Sequence, residues 1–281
     1  MLLMLPLDQL PEAALAGTVA VFTDIDDTLT TDGRLPADAY AALERLAEAG
    51  LAVVPITGRP AGWCDMIARF WPVEGVVGEN GAFYFAYRHA EKRMLQRFFT
   101  PEEERRANRV RLSVLRERIL AEVPGAGIAS DQLYREADLA IDVCEDVPPL
   151  PKEQVDRILA MFAEAGAVAK LSSIHVNGWF GSYDKLSMAR LFSADVLGLD
   201  LDADRERVVF VGDSPNDGPM FGFFPMSCGV ANVLDFDRAA LVPPAYVASR
   251  RGGAGFVEVA DRILAARGLP PVAATEVRRH G

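Results

Sequence analysis

Residues 19–30 read Val-Ala-Val-Phe-Thr-Asp-Ile-Asp-Asp-Thr-Leu-Thr, an apolar run ending in Asp24, Asp26 and Asp27, followed by Thr28. Carboxylates crowded at the end of a buried strand repel one another and cost desolvation energy. A cation or a reaction that uses them offsets that cost. The cluster therefore points to Mg²⁺-dependent phosphoryl transfer with an aspartate nucleophile. A second apolar run, Val209-Phe210-Val211, ends in Gly212-Asp213-Ser214-Pro215-Asn216-Asp217-Gly218, again with two acids beside glycines that permit tight turns. Their hard carboxylate oxygens suit Mg²⁺.

Two weaker signals lie between these acidic clusters. Ile56-Thr57-Gly58-Arg59-Pro60 places a hydroxyl and a glycine before a helix. Backbone N–H groups at a helix N-terminus suit phosphate oxygens, although the same residues also make a plain helix cap. Lys185 opens a helix and gains meaning only in the company of the other clusters; alone it reads as a solvated face residue. A calcium loop of the Asp-x-Asp-x-Thr kind is excluded for Asp24–Thr28. Its sixth and twelfth positions are Leu29 and Leu35, where Gly and Glu are required.

The elements that must position these residues alternate at first. Strands are expected at Thr18–Phe22, Leu51–Ile56 and from Gly75 to Val77, with helices at Ala37–Ala49 and Ala61–Phe70. Such alternation means a parallel sheet with ligands outside the carboxyl ends of its strands. Asp24, Thr57 and Glu79 fall at such ends. The pattern then changes to a hairpin (Ala82–Tyr87, Met94–Phe99), a long charged helix (Pro101–Val123), strands near 127–131 and 137–144, a helix (Pro151–Ala165), and strands near 167–171 and 173–177. This is an α-β-β-α-β-β layer inserted as a second domain. Alternation resumes with a helix from Lys185, strands at Arg207–Val211 and Met226–Ala231, a further strand at Tyr246–Ala248, and a last helix at Gly255–Arg267. The fold class is α/β, a Rossmann-like parallel-sheet core with an inserted α+β cap; core residues are 1–84 and 181–281, and cap residues 85–180.

The net charge of −11, from 29 basic and 40 acidic residues, argues against a broad nucleic-acid surface. A small anionic substrate is still compatible, since a metal ion can reverse the field at a site. No apolar run is long enough to span a membrane. The apolar start Met1–Leu7 reads as a poorly ordered N-terminus, and Pro270–Gly281 as a frayed tail. Cys64, Cys144 and Cys228 show no metal spacing and read as free thiols of a cytoplasmic protein.

In this order, the clusters at Asp24–Thr28, Thr57–Gly58, Lys185 and Gly212–Asp217 resemble the haloacid dehalogenase-like phosphohydrolases. The insertion, and Glu79-Asn80-Gly81 before it, resemble the subclass holding sucrose-phosphate, trehalose-phosphate and mannosyl-phosphoglycerate phosphatases, Cof-type sugar phosphatases and eukaryotic phosphomannomutases. Residues Thr30–Pro36 resemble the flap that follows the nucleophile in that superfamily. The resemblance implies Asp24 as nucleophile and Asp26 as acid and base. Mg²⁺ would lie on Asp24, Asp213 and the Asp26 backbone carbonyl, with Asp217 orienting its water or Lys185. Thr57, the Gly58 N–H and Lys185 would hold phosphate oxygens. Substrate contacts are expected from Arg59, Glu79, Asn80, His175 and Asn177, with packing as the alternative for His175 and Trp179. Trp63 and Trp71 are expected to pack. The implied activity is hydrolysis of a small phosphorylated metabolite, foremost a sugar phosphate; a sugar phosphomutase and a non-catalytic regulator are the alternatives. Asp27 has no role in this reading.

Overall fold

The computed structural model describes residues 4–236 and 242–272. The expected tail from residue 273 onward lies outside them. The chain divides into two compact units. One comprises Met1–Ile56, Pro72–Gly75 and Ser193–Gly281; the other comprises Thr57–Trp71 and Val76–Phe192.

In the first unit the chain runs β1 (Leu5–Pro6), α1 (Glu12–Ala16), β2 (Ala20–Thr23), α2 (Ala37–Glu48) and β3 (Ala52–Pro55). The second unit contributes α3 (Ala61–Phe70), β4 (Val76–Gly78), β5 (Phe83–Arg88), β6 (Arg93–Phe98), α4 (Glu102–Glu122), β7 (Gly127–Ile128), β8 (Asp138–Asp142), α5 (Lys152–Glu164), β9 (Val168–Leu171), β10 (His175–Trp179) and α6 (Lys185–Phe192). The chain returns to the first unit with α7 (Leu201–Asp204), β11 (Val208–Gly212), α8 (Gly218–Phe223), β12 (Met226–Gly229), β13 (Tyr246–Val247) and α9 (Gly252–Ala266).

The first unit is built on a parallel six-stranded sheet, order β1-β13-β12-β11-β2-β3. Its central strands are near-continuous buried runs of Val and Phe, as expected for strands covered on both faces. Helix α2 buries Ala39, Ala42, Leu43 and Leu46, an i, i+3, i+4, i+7 stripe. The N-terminal expectation is corrected: Leu5 and Pro6 pair in parallel with β13, and Leu7 and Leu10 are buried. Pro6 is tolerated because β1 lies at a sheet edge.

The second unit holds two antiparallel sheets, β4-β5-β6 and β7-β8-β10-β9. The segment at 75–77, expected as a third parallel strand, pairs antiparallel with β5, while beside it the Glu74 N–H donates to the Val53 carbonyl at 3.0 Å and the Thr57 N–H to the Val77 carbonyl at 2.9 Å. Strand β3 ends at Pro55, which has no N–H with which to continue a ladder. The α-β-β-α-β-β layer is present as α4-β7-β8-α5-β9-β10. Leu139, Ile141 and Val176 of its sheet join Leu112, Leu115 and Ile119 of α4 and Ile158, Met161 and Phe162 of α5 in one core. Strand alternation turns Asp138, Asp142, His175 and Asn177 to the opposite face. In the register, His175 opposes Asp142 and Trp179 opposes Asp138.

Among the described residues no helix is long and apolar enough to cross a membrane. Phe162 is fully buried. Phe162→Ala should therefore cost ~3–5 kcal/mol of stability, measured by urea denaturation; a loss too small to resolve would contradict this packing.

Candidate active site

Parallel pairing of β2 with β11 sets Thr23 beside Val211, so both chains emerge from the sheet as neighbours. The Asp24 N–H donates to the Val211 carbonyl at 2.9 Å. The Ile25 carbonyl then gathers the N–H groups of Thr28, Leu29 and Thr30 at 3.3, 2.8 and 3.0 Å, folding the acidic segment into a single tight turn. Asp27 sits in that turn with φ 55°, a left-handed conformation that Asp tolerates better than most residues. Its N–H donates to Thr30 Oγ1 at 2.8 Å. Asp27 thus gains a structural reason that its residue type alone did not suggest. Beyond it, Thr31 and Arg34 exchange backbone bonds of 2.8 and 3.1 Å across Asp32 and Gly33, with φ 50° and 71°; this is a tight Asp-Gly hairpin.

The second acidic turn is equally determined. Asp217 Oδ2 accepts the N–H groups of Asp213 and Ser214 at 3.0 and 3.3 Å, and Ser214 and Asp217 form a capping box. A Cβ on Gly212 would lie 2.3 Å from Asp217 Oδ2, so only glycine lets the carboxylate reach back. Thr28 Oγ1 donates to Asp213 Oδ1 at 3.3 Å, joining the two turns. Asp24, Asp213 and Asp217 are all buried, and each offers an oxygen within 4.8 Å of the others. Three buried carboxylates in that space fit a hard divalent cation with oxygen ligands such as Mg²⁺. Asp26 is half-buried in the same turn.

The second unit gathers another set of the expected residues. Thr57 N–H donates to the Val77 carbonyl at 2.9 Å, and Asn80 N–H returns to the Thr57 carbonyl at 3.0 Å. Glu79, Asn80 and Gly81 take successive positive φ values of 44°, 54° and 107°, a strained run of the kind kept where surroundings over-determine it. A Cβ on Gly81 would meet the Asp184 carbonyl oxygen at 2.0 Å and Lys185 N at 3.0 Å. The turn therefore ties the Thr57 segment to the start of α6, where Lys185 is buried. Asp184 and Ser187 cap that helix end reciprocally, at 2.7 and 2.8 Å.

Glu79 holds three backbone donors: Ala61 N–H at 3.1 Å, Glu136 N–H at 2.9 Å and Ala137 N–H at 2.6 Å. Helix α3 has no acid in its first turn and no side-chain cap of its own, so Glu79 serves as its remote cap, its Oε1 accepting the Ala61 N–H that the helix leaves without an internal partner. Arg59 Nη2 lies 2.8 Å from Glu145 and Nη1 lies 3.4 Å from Asp131, with the guanidinium over the Trp63 ring. His175 Nε2 is 2.9 Å from Glu145 Oε2. Asn177 Nδ2 donates to Asp138 Oδ2 at 3.0 Å. The Trp179 indole N–H donates to the Tyr183 carbonyl at 3.2 Å, and the two rings stack; Trp179 is a packing residue.

Sequence reasoning missed Arg135, Asp131, Asp138, Asp142 and Glu145. Arg135 is buried, binding Asp131 at 2.9 Å, Asp138 at 3.0 Å and the Gly58 carbonyl at 2.9 Å. Asp142 accepts the N–H groups of Cys144, Glu145 and Asp146 at 2.8–3.0 Å, fixing the loop from which Glu145 reaches Arg59. The available signal was Asp138-Leu-Ala-Ile-Asp142, acids at strand period facing away from the core. The electrostatics follow the burial. Burial and the Asp138 carboxylate push the Glu79 carboxyl up from 4.5 to about 8, against Arg135 and the N–H groups of Glu136 and Ala137. Burial likewise raises Asp138. His175 and Arg59 hold Glu145 down to about 2 although burial opposes them. For Arg135, burial alone would lower the pKa, but Asp138, Asp131 and Glu79 outweigh it.

Residues 21–108 match the family described as haloacid dehalogenase-like hydrolase. No curated protein matches the sequence. Among solved structures, the Thermoplasma acidophilum 0175 protein is 20% identical with a TM-score of 0.66, over 88% of this chain and 98% of that one. The sucrose-phosphatase of Synechocystis sp. PCC6803, solved with sucrose and phosphate, is 14% identical with a TM-score of 0.60, over 88% and 98%. The haloacid dehalogenase subclass IIB sugar phosphatase BT4131 is 16% identical with a TM-score of 0.55, over 82% and 93%. At these identities the likeness is one of fold: a parallel-sheet core accompanied by antiparallel sheets.

The Glu79 carboxyl gives a testable pH dependence. An acid whose folded pKa lies above its unfolded value stabilises fully below the unfolded pKa and loses that contribution as pH rises through the folded one. Between pH 4.5 and about 8, wild-type stability should fall by ~4 kcal/mol relative to Glu79→Gln, whose profile is flatter. Thermal melts across that range would show parallel profiles if Glu79 did not titrate there.

Proposed function

We propose that this chain, whose residues 21–108 match the family described as haloacid dehalogenase-like hydrolase, is a Mg²⁺-dependent phosphomonoesterase acting on a small phosphorylated metabolite, foremost a sugar phosphate. The observation that carries this reading is the trio Asp24, Asp213 and Asp217, buried with oxygens within 4.8 Å of one another. The sugar phosphatases among the similar structures support the substrate class.

Asp24 attacks phosphorus and forms an aspartyl-phosphate as the alkoxide departs. Asp26 protonates that leaving oxygen. Asp26 then takes a proton from water, which attacks the same phosphorus, freeing phosphate and restoring Asp24. Asp24, Asp213, Asp217 and the Asp26 carbonyl would hold Mg²⁺, which supplies the positive charge that lets an anionic nucleophile meet an anionic phosphate. Thr57, the Gly58 N–H and Lys185 hold the non-reacting oxygens, each such donor contributing a few kcal/mol to the transition state. Residues 85–180 act as the cap that selects the substrate. Glu79, Arg59, His175 and Asn177 act as framework: Glu79 through its three backbone bonds, the others through their acid partners. Asn80, whose side chain lies beside Gly58, remains the proposed substrate contact.

Phosphate release should be measured from a panel of phosphorylated sugars and polyols with Mg²⁺. The wild type should turn over at least one sugar phosphate and stop on chelation. Asp24→Asn should lose about a thousandfold or more in kcat while melting as a folded protein. Retained turnover in Asp24→Asn would refute the nucleophile assignment.

A further inference from the structure

Arg135 lies outside every motif that carries the chemistry, yet it touches the Thr57–Gly58 segment directly. Its Nη1 donates to the Gly58 carbonyl at 2.9 Å. That carbonyl belongs to the Gly58–Arg59 peptide, and the N–H of the same peptide donates to Thr57 Oγ1 at 3.0 Å. A peptide is planar, so a guanidinium gripping its oxygen also fixes the direction of its N–H. The Thr57 hydroxyl accepts from that N–H and retains its own proton for donation. Among the described residues nothing accepts that proton.

The grip on Arg135 is itself built. Its side chain is fully buried. Asp131 takes Nε and Nη2 at 2.9 and 3.1 Å, and both oxygens of Asp138 take Nη1 at 3.0 and 3.1 Å. Asn177 holds Asp138 in turn at 3.0 Å. A planar fork satisfied on both edges has one orientation; an ammonium in its place has many. Surrounding side chains also confine the segment, since a Cβ on Gly58 would lie 3.2 Å from Asn80 Nδ2 and 3.6 Å from Asn177 Oδ1.

We propose that Arg135 is a positioning residue for phosphate binding: by clamping the Gly58–Arg59 peptide it aims the Thr57 hydroxyl at a phosphate oxygen. The inference rests on the role given to Thr57 in the proposed function. It adds that a residue from the segment between β7 and β8, remote in sequence, sets that hydroxyl's direction. Arg135 and Asp138 are among the residues that line a cavity of about 260 Å³, together with Arg109, Arg116 and Gln132.

The test is a double-mutant cycle on the affinity for inorganic phosphate, measured by calorimetry with Mg²⁺ present. Turnover of the sugar-phosphate panel is measured separately, so failure of the enzymatic reading and failure of this proposal are told apart. Arg135→Lys should weaken phosphate binding about tenfold. In a Thr57→Ala background it should weaken binding no further, because the group it aims is gone. Exposed Arg118→Lys should change neither. Arg135→Ala should recover affinity when millimolar guanidinium is added. If the Arg135 variants do not fold, Asp131→Asn, which loosens one edge of the fork, should show a smaller loss that also vanishes in Thr57→Ala. Equal losses in both backgrounds, wild-type affinity in Arg135→Lys, or a wild type that does not bind phosphate would each overturn the proposal.

Discussion

Three carboxylates buried within reach of one another are the constraint on which the rest of the first unit depends. Asp24 and Asp213 follow adjacent parallel strands, and Asp217 returns to the same place through a turn that only Gly212 permits. Without a cation, mutual repulsion and desolvation oppose this arrangement. The backbone is shaped to impose it all the same. The Ile25 carbonyl gathers the acidic turn, Asp27 accepts a left-handed conformation, and Thr28 bonds across to Asp213.

The second unit meets the opposite electrostatic problem. Its acids Glu79, Asp131, Asp138 and Glu145 are matched by Arg59, Arg135, His175 and backbone N–H groups. Buried ion pairs of this kind contribute little net stability compared with apolar packing, but removing one partner leaves a costly unpaired charge. Their value here is geometric. They hold the strained turn at Glu79–Gly81, the start of α3 and the Gly58 carbonyl in one arrangement. The apolar core of α4, α5 and their sheet carries the stability that this network does not.

How much could be read from sequence follows from where the information sits. The strand-end acids were legible because a buried apolar run and a chemical pattern coincide at Phe22–Asp24 and Val211–Asp213. The alternation of helix and strand gave the parallel sheet and the α-β-β-α-β-β layer in order. Arg135, Asp138 and Glu145 were not legible as partners of Gly58, Asn177 and Arg59, since each pair is joined only by tertiary folding. Glu79 looked like a ligand for a sugar because its type allows it; the three N–H groups that it accepts come from residues 61, 136 and 137. The antiparallel partner β5 of the segment at 75–77 was not legible because a strand signal does not name its partner. The strand at Leu5–Pro6 was missed because its stability comes from the edge of β13, not from its own length.

The central claim is that the trio of buried acids is a divalent-cation site. Calorimetric titration of Mg²⁺ into metal-free protein tests it most directly. The account predicts one saturable site that disappears in Asp213→Asn, a variant that keeps the side chain's shape but not its charge. Absence of saturable Mg²⁺ binding in the wild type, or binding unchanged in Asp213→Asn, would contradict it.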